Sequence, residues 1–160
     1  MIKSVLFATL CAMGAVVPIQ TVVAEDLNHI AQLLQVNACQ GCDLSGADLS
    51  GLVLIRANLK GANLKGANLT NTYLVLSDLS GANLEGANLS AAYLYGTNLQ
   101  GTALMGTTLV QATLRAAQLQ GANLCDASFS GADFRDAQLE IDEKAPCFEQ
   151  LQAQNAFSHR

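Results

Sequence analysis

Residues 47–66 read A-D-L-S-G-L-V-L-I-R-A-N-L-K-G-A-N-L-K-G, with a leucine at every fifth position. The same spacing runs from Leu44 to Leu139 through twenty positions, and only Phe129 and Phe134 replace leucine. A period of five matches neither an α-helix, at 3.6 residues, nor a β-strand, at two. This internal period therefore indicates a repeat architecture.

The positions within the repeat differ in chemistry. Two residues before each leucine the side chain is small, with Leu52 the one large exception, and the residue between is mostly Asn or Asp. Residues two apart in an extended segment point the same way, so the small residue and the leucine face inward and the Asn or Asp faces outward. A frequent glycine two residues after the leucine suits a turn with positive φ at its third residue. Three extended residues and a two-residue corner form one side of a solenoid.

Eight corners carry another residue in place of glycine. Residues other than glycine rarely adopt positive φ, so we expect these turns to be type I-like or irregular. The eight are Arg56, Asn71, Leu76, Ala91, Gln111, Ala116, Asp126 and Asp136.

Runs such as A-D-L-S-G at 47–51, A-N-L-K-G at 62–66 and A-N-L-E-G at 82–86 resemble the pentapeptide-repeat proteins. The resemblance covers residues 42–141 and implies an all-β fold, a right-handed quadrilateral β-helix. If four repeats make one coil, as the resemblance implies, this segment has five coils. At a strand spacing of about 4.8 Å they form a rod about 24 Å long.

The first 24 residues are a different segment. Lys3, an apolar run over residues 5–17 and Val-Val-Ala at 22–24 are typical of a secretory signal peptide cleaved after Ala24. The alternative is an uncleaved anchor, because residues 4–24 carry no charge and are long enough to span a bilayer.

Short helices are predicted on both sides of the repeats. An open solenoid end exposes apolar core and unpaired strand edges, so each end needs a cap. Residues 25–41 contain apolar positions at helical spacing, and residues 142–160 contain Pro146, which suits a first helical turn. The apolar positions are Leu27, Ile30, Ala31 and Leu34 at the first end and Phe148, Leu151 and Phe157 at the second.

Four cysteines follow the leader, an even number in a secreted chain: Cys39, Cys42, Cys125 and Cys147. In five coils, Cys42 and Cys125 lie about 19 Å apart along the axis, whereas bonded cysteines need Cα atoms within about 7 Å. The pairs Cys39–Cys42 and Cys125–Cys147 remain, and the same distance excludes a four-cysteine zinc site. The C-Q-G-C spacing also suits a redox pair, but its place at the entry to a β-helix favours a structural role.

The stretch A-C-Q-G-C-D-L-S-G-A-D-L at 38–49 is also similar to the opening of many secreted cyanobacterial pentapeptide-repeat proteins. This resemblance implies the periplasm or the thylakoid lumen. After leader cleavage we expect no membrane association.

Catalytic groupings are missing from the sequence. His29 and His159 are predicted to be solvated surface residues far from any nucleophile, and the glycines serve corners, so none forms a phosphate loop. Three nearby carboxylates, Asp126, Asp133 and Asp136, occupy different sides of the prism. The net charge is −5, or −6 without Lys3, which argues against nucleic acid. We expect no enzyme, cofactor, metal or small-molecule substrate.

One side of the prism differs from the other three. Its outward residues are Val53, Tyr73, Tyr93, Thr113 and Asp133. The following corner carries Ile55, Val75, Tyr95, Arg115 and Arg135, with Leu76 adjoining. Such an aromatic, apolar patch ending in arginines is typical of a contact surface. The same residues can instead serve only to stabilise neighbouring strands.

Three functions stay open. The first is a scaffold outside the cytoplasm that binds a protein, or a second copy of itself, through this patch. The second, implied by relatives that mimic DNA and bind gyrase, requires acidic ladders and the cytoplasm. The third is a structural protein with no dedicated partner.

We predict that the mature chain begins at Glu25, because the small residues at 22–24 precede it. Intact-mass measurement of the exported protein tests this expectation. Recovery of residues 1–24 in a membrane fraction would favour the anchor.

Overall fold

The computed structural model describes residues 24–140 and residue 147. One helix, α1 (Ala24–Val36), leads into a run of short extended segments that alternate with tight turns up to residue 140. No strand is longer than a single bridge residue within these described ranges. The predicted leader, apart from Ala24, and the predicted C-terminal helix lie outside the described residues.

Parallel bridges join residues that are 20 positions apart, from Ala38 with Asn58 to Gln118 with Gln138. Because one bridge residue occurs in every five, four segments complete one turn of the chain. The architecture is therefore a four-sided β-helix in which each side is a parallel ladder.

Main-chain hydrogen bonds hold successive layers together. The leucine N–H donates upward, as from Leu44 to the Asn63 carbonyl at 2.7 Å, and the outward residue donates downward, as from Asn63 to the Cys42 carbonyl at 2.8 Å. Since each layer satisfies the polar groups of its neighbours, the inside of the prism needs only apolar side chains.

The core is a column of leucines packed against small residues. The leucines from Leu44 to Leu119 are buried, and burial of each contributes about 1.5–3 kcal/mol. Inward Thr and Ser hydroxyls donate to leucine carbonyls, for example from Thr72 to Leu49 at 2.8 Å and from Ser77 to Leu54 at 2.6 Å. Small polar residues therefore substitute for alanine in the core without leaving an unsatisfied group.

The prediction for corners without glycine is wrong. All eight have positive φ between 55° and 62°, close to the 65° of Gly46. The ladder gives the physical reason: the N–H at such a corner bonds to the next layer, as from Arg56 to the Val75 carbonyl at 2.9 Å. These bonds impose one turn geometry everywhere, although a left-handed conformation costs about 1–2 kcal/mol for an L-residue.

Helix α1 packs on the first layer. Leu33 is fully buried and Ile30 packs against the core, while the helix ends at Val36 and is followed by Asn37, whose φ of 53° is typical of a left-handed helix terminus. His29 was predicted to be solvated, but it is half-buried and its Nδ1 lies 3.0 Å from the Asp43 carbonyl oxygen. The imidazole therefore connects α1 to the first layer.

Two disulfides lie near the ends of the described chain. Cys39 is joined to Cys42 and Cys125 to Cys147, each with a Cα–Cα distance of 5.3 Å. Cys39 and Cys42 are buried in the core, which favours a structural role because a redox pair must reach its substrate. The second bond joins Cys147 to Cys125 in the last repeats.

The shared turn geometry predicts opposite effects of exchanging glycine and alanine at corners. Ala91→Gly removes strain and should stabilise the fold by about 0.5–1 kcal/mol after the entropy of glycine is subtracted. Gly101→Ala should destabilise it by about the same amount, since a Cβ there meets only open space and the cost lies in the backbone. Urea denaturation measures both, and shifts of the same sign would contradict the prediction.

Candidate interaction surface

The outward Asn and Asp residues have a specific role at the corners. Their Oδ1 atoms accept a hydrogen bond from the N–H two residues later, as from Ser80 to Asp78 at 2.9 Å and from Glu85 to Asn83 at 3.0 Å. This bond satisfies the one corner N–H that the ladder leaves without a partner. Each such bond contributes about 0.5–1.5 kcal/mol.

On one side of the prism, three layers lack this hydrogen bond. Here Val53, Tyr73 and Tyr93 occupy the outward position, and none of them carries an oxygen that can reach the corner N–H. We call the apolar residues of this side and its following corner the apolar stripe. They are Val53, Ile55, Tyr73, Val75, Leu76, Tyr93 and Tyr95. The needs of the backbone do not explain these residues.

The apolar stripe is exposed and ordered by stacking. Val53 is 68% exposed, Tyr73 39%, Tyr93 42% and Tyr95 49%. The rings of Tyr73 and Tyr93 stack with centroids 4.5 Å apart and planes 7° from parallel. Stacking contributes about 0.5–1.5 kcal/mol, so part of the role of these rings is to stabilise neighbouring layers.

A glycine shapes the middle of the stripe. The Leu76 side chain leans along the axis over Gly96, where an added Cβ would come within 2.7 Å of Leu76 Cδ2. Gly96 therefore leaves the space that the Leu76 side chain occupies.

Two arginines stand at the far end of the stripe. Arg135 donates to both carboxylate oxygens of Asp133, at 2.9 and 2.6 Å, while Arg115 reaches Asp136 only at 3.8 Å. The hydrogen bonds from Arg135 lower the pKa of Asp133 to about 2. The charge of Arg135 is thus already matched within the chain, and that of Arg115 is matched only loosely.

The ladder register places all nine residues predicted for the patch on one side and its corner. That they form an interface stays a prediction. The sequence analysis missed Arg56, which follows Ile55, and the exposed Leu34 and Val36 at the end of α1. Asn37 donates to the Ile55 carbonyl at 2.9 Å, so the helix end adjoins the stripe. Extending the 20-residue register by one layer toward the N-terminus would have placed Val36 below Arg56.

Two further features, a metal-ligand cluster and a membrane-spanning helix, are absent from the described ranges. Among residues 24–140 and 147, no three His, Cys, Asp or Glu side chains are grouped as metal ligands. In the same part of the chain, no helix has the length and apolar character needed to cross a membrane.

The family model "Pentapeptide repeats (8 copies)" matches residues 39–75, 72–111 and 109–140, which together cover more than half of the chain. The chain belongs to the pentapeptide repeat family. Family members fold as right-handed β-helices, and the i to i+20 ladder of this member has that architecture.

Pentapeptide repeat proteins of known structure are similar to the chain. A pentapeptide repeat protein from the Arabidopsis thaliana thylakoid lumen is 32% identical over 72% of this chain and 78% of its own, with a TM-score of 0.63. Rfr23, a pentapeptide repeat protein from the cyanobacterium Cyanothece 51142, is 29% identical over 71% of this chain and 99% of its own, with a TM-score of 0.46. A comparison with curated protein sequences finds no match.

Pentapeptide repeat proteins are generally non-catalytic structural or interaction proteins, and no enzyme family matches the chain. In this pentapeptide repeat protein the apolar stripe is therefore the surface to explain. Its exposed tyrosines occupy outward positions where the other sides mostly carry Asn or Asp, whose Oδ1 atoms accept the hydrogen bond from the corner N–H.

The pair of Asp133 and Arg135 predicts a loss of stability in acid. The pKa of Asp133 is about 2 in the folded chain and is ordinarily 3.8, so its contribution is complete above about pH 4 and is lost as the pH falls through about 2. As the pH falls between these values, the unfolding temperature should decrease less steeply for Asp133→Asn than for wild type. An NMR titration in which folded Asp133 titrates at its ordinary pKa would contradict this.

Proposed function

We propose that this protein is a non-catalytic scaffold outside the cytoplasm that binds a protein partner through its apolar stripe. The proposal includes a β-helix of five coils with helical caps at both ends, so that only the sides are open to partners. It involves no nucleic acid, no small-molecule substrate and no cofactor.

The observation that carries the proposal is that exposed Val and Tyr, in place of the usual Asn, occupy the outward positions 53, 73 and 93. Each exchange gives up a corner hydrogen bond of about 0.5–1.5 kcal/mol and exposes apolar surface to water. Tyr and Arg are enriched in interface cores, and here arginines flank the tyrosines of the apolar stripe. Binding a partner supplies a reason for the exchange that folding alone does not.

The predicted leader and the two disulfides support a location outside the cytoplasm, because disulfides persist in oxidising compartments. The similar Arabidopsis protein comes from the thylakoid lumen. We therefore propose the periplasm or the thylakoid lumen, reached through a cleaved signal peptide.

The alternative of a DNA mimic has less support. Such a surface needs rows of carboxylates, whereas the ladders of this chain are mostly neutral Asn, Thr and Gln. The second alternative, a structural protein without a partner, draws on the stacking of Tyr73 on Tyr93. The experiment below separates it from the scaffold.

Replacing both stacked tyrosines should separate binding from folding. In the variant Tyr73→Asn/Tyr93→Asn, each Asn can gain the corner hydrogen bond as the ring stacking is lost, so stability should change little. Loss of two aromatic rings that a partner would bury should weaken partner binding by roughly 1–3 kcal/mol each, or at least about thirtyfold together. Affinity purification from the native compartment and analytical ultracentrifugation measure partner binding and self-association.

A matched control is Thr108→Asn/Gln118→Asn, which introduces the same residue at outward positions on two other sides. It should retain every partner. Equal recovery of partners and equal oligomeric size for the control, the tyrosine variant and wild type would instead favour a purely structural protein.

A further inference from the structure

We propose that the occupant of the apolar stripe is a segment of a different protein in which apolar side chains lie between two carboxylates. This inference rests on the proposed function and gives the chemistry of the partner. It is carried by the positions of the arginines around the stripe.

Positive charge is concentrated beside the stripe on an otherwise acidic protein. The chain has a net charge of −5, yet the three arginines within the described residues all lie on the corner that follows the side of Tyr73 and Tyr93: Arg56, Arg115 and Arg135. Arg56 adjoins Ile55 at the first layer, and Arg115 lies one layer beyond Tyr95. The apolar stripe is therefore flanked by positive charge at both ends.

Two of these arginines keep the capacity to bind another carboxylate. Arg56 is exposed and forms no ion pair with the residues that the structure describes. Arg115 contacts Asp136 only at 3.8 Å through its Nη2, and its side chain is 42% exposed, although its Nε is buried. Arg135 is already bound by both oxygens of Asp133. Arg56 and Arg115 are thus the charges available to a partner.

The register gives the spacing that a partner must match. Arg56 belongs to the first layer and Arg115 to the fourth, so three layer spacings, about 14 Å, separate their backbones along the axis. Between them lie Tyr73, Val75 and Tyr95. A complementary segment therefore presents apolar side chains with a carboxylate near each end.

A second copy of this chain matches the surface less well. Its own apolar stripe would bring arginines rather than carboxylates to the interface. The carboxylates on the same side and corner, Asp133 and Asp136, face its own Arg135 and Arg115. Charge complementarity therefore favours a different protein.

A random peptide library tests the inference without a known partner. Phage displaying linear peptides of about twelve residues are selected on the oxidised mature protein, with counter-selection on Tyr73→Asn/Tyr93→Asn. We expect selected peptides to carry aromatic or aliphatic residues between two Asp or Glu residues. Fluorescence polarisation should show binding at least about tenfold weaker to Arg56→Glu/Arg115→Glu, and peptides with Lys in place of the acids should regain affinity for that variant.

The control is Lys60→Glu/Lys65→Glu, which reverses the same number of charges on other corners and should leave peptide binding unchanged. Circular dichroism verifies that each variant is folded.

Selected peptides that need the tyrosines but lack acidic residues would overturn the inference and leave the proposed function intact. A dimer in sedimentation equilibrium that the tyrosine substitutions dissociate would also overturn it, because the occupant would then be a second copy. Failure of the proposed function is distinct, since native partners would then be retained by the tyrosine variant.

Discussion

The main-chain ladder between residues 20 apart determines most other features of this protein. Because every layer donates to the next and accepts from it, each backbone segment has the same conformation as the segments above and below. The corner residues illustrate how strong this constraint is. Leu76 and Gln111 adopt the positive φ that glycine takes elsewhere, since a different turn would break the ladder on both sides. In a solenoid, local preference yields to the neighbouring layers.

The same constraint divides the side chains into two groups with different duties. Inward residues must fit a fixed volume, so leucine alternates with Ala, Ser or Thr, and the hydroxyls of Thr72 and Thr97 find leucine carbonyls within the core. Outward side chains can vary in volume because they extend into solvent. The corner N–H needs a hydrogen-bond acceptor, however, and the Oδ1 of an Asn or Asp two residues earlier supplies it. A departure from Asn at an outward position therefore has a measurable cost, and the apolar stripe departs in three consecutive layers.

Much of this organisation could be predicted from the sequence, because a five-residue period over twenty repeats allows one register. The inward leucines follow from that period, whereas the β-helix and the alignment of Tyr73 with Tyr93 follow from the four repeats per coil that the family resemblance implies. The corner conformations could not be predicted by residue type, because glycine preference describes an isolated turn and the ladder overrides it. The contact of His29 with the Asp43 carbonyl was missed for a similar reason, since it depends on how α1 crosses the first layer. Arg56 was overlooked as part of the site because it was read only as a corner residue.

The rigid backbone favours the role in partner binding that we propose for the apolar stripe. Association costs free energy when side chains and loops must become ordered, and here the backbone is held by hydrogen bonds on both sides of each layer. The stack of Tyr73 on Tyr93 and the position of Leu76 over Gly96 limit the rotamers of the exposed side chains before a partner arrives. Stacking and binding are therefore compatible roles for the same rings, because order that stabilises the free protein lowers the entropy lost in the complex. Arg56 and Arg115 place positive charge at the two ends, where it can orient the proposed partner before the apolar residues make contact.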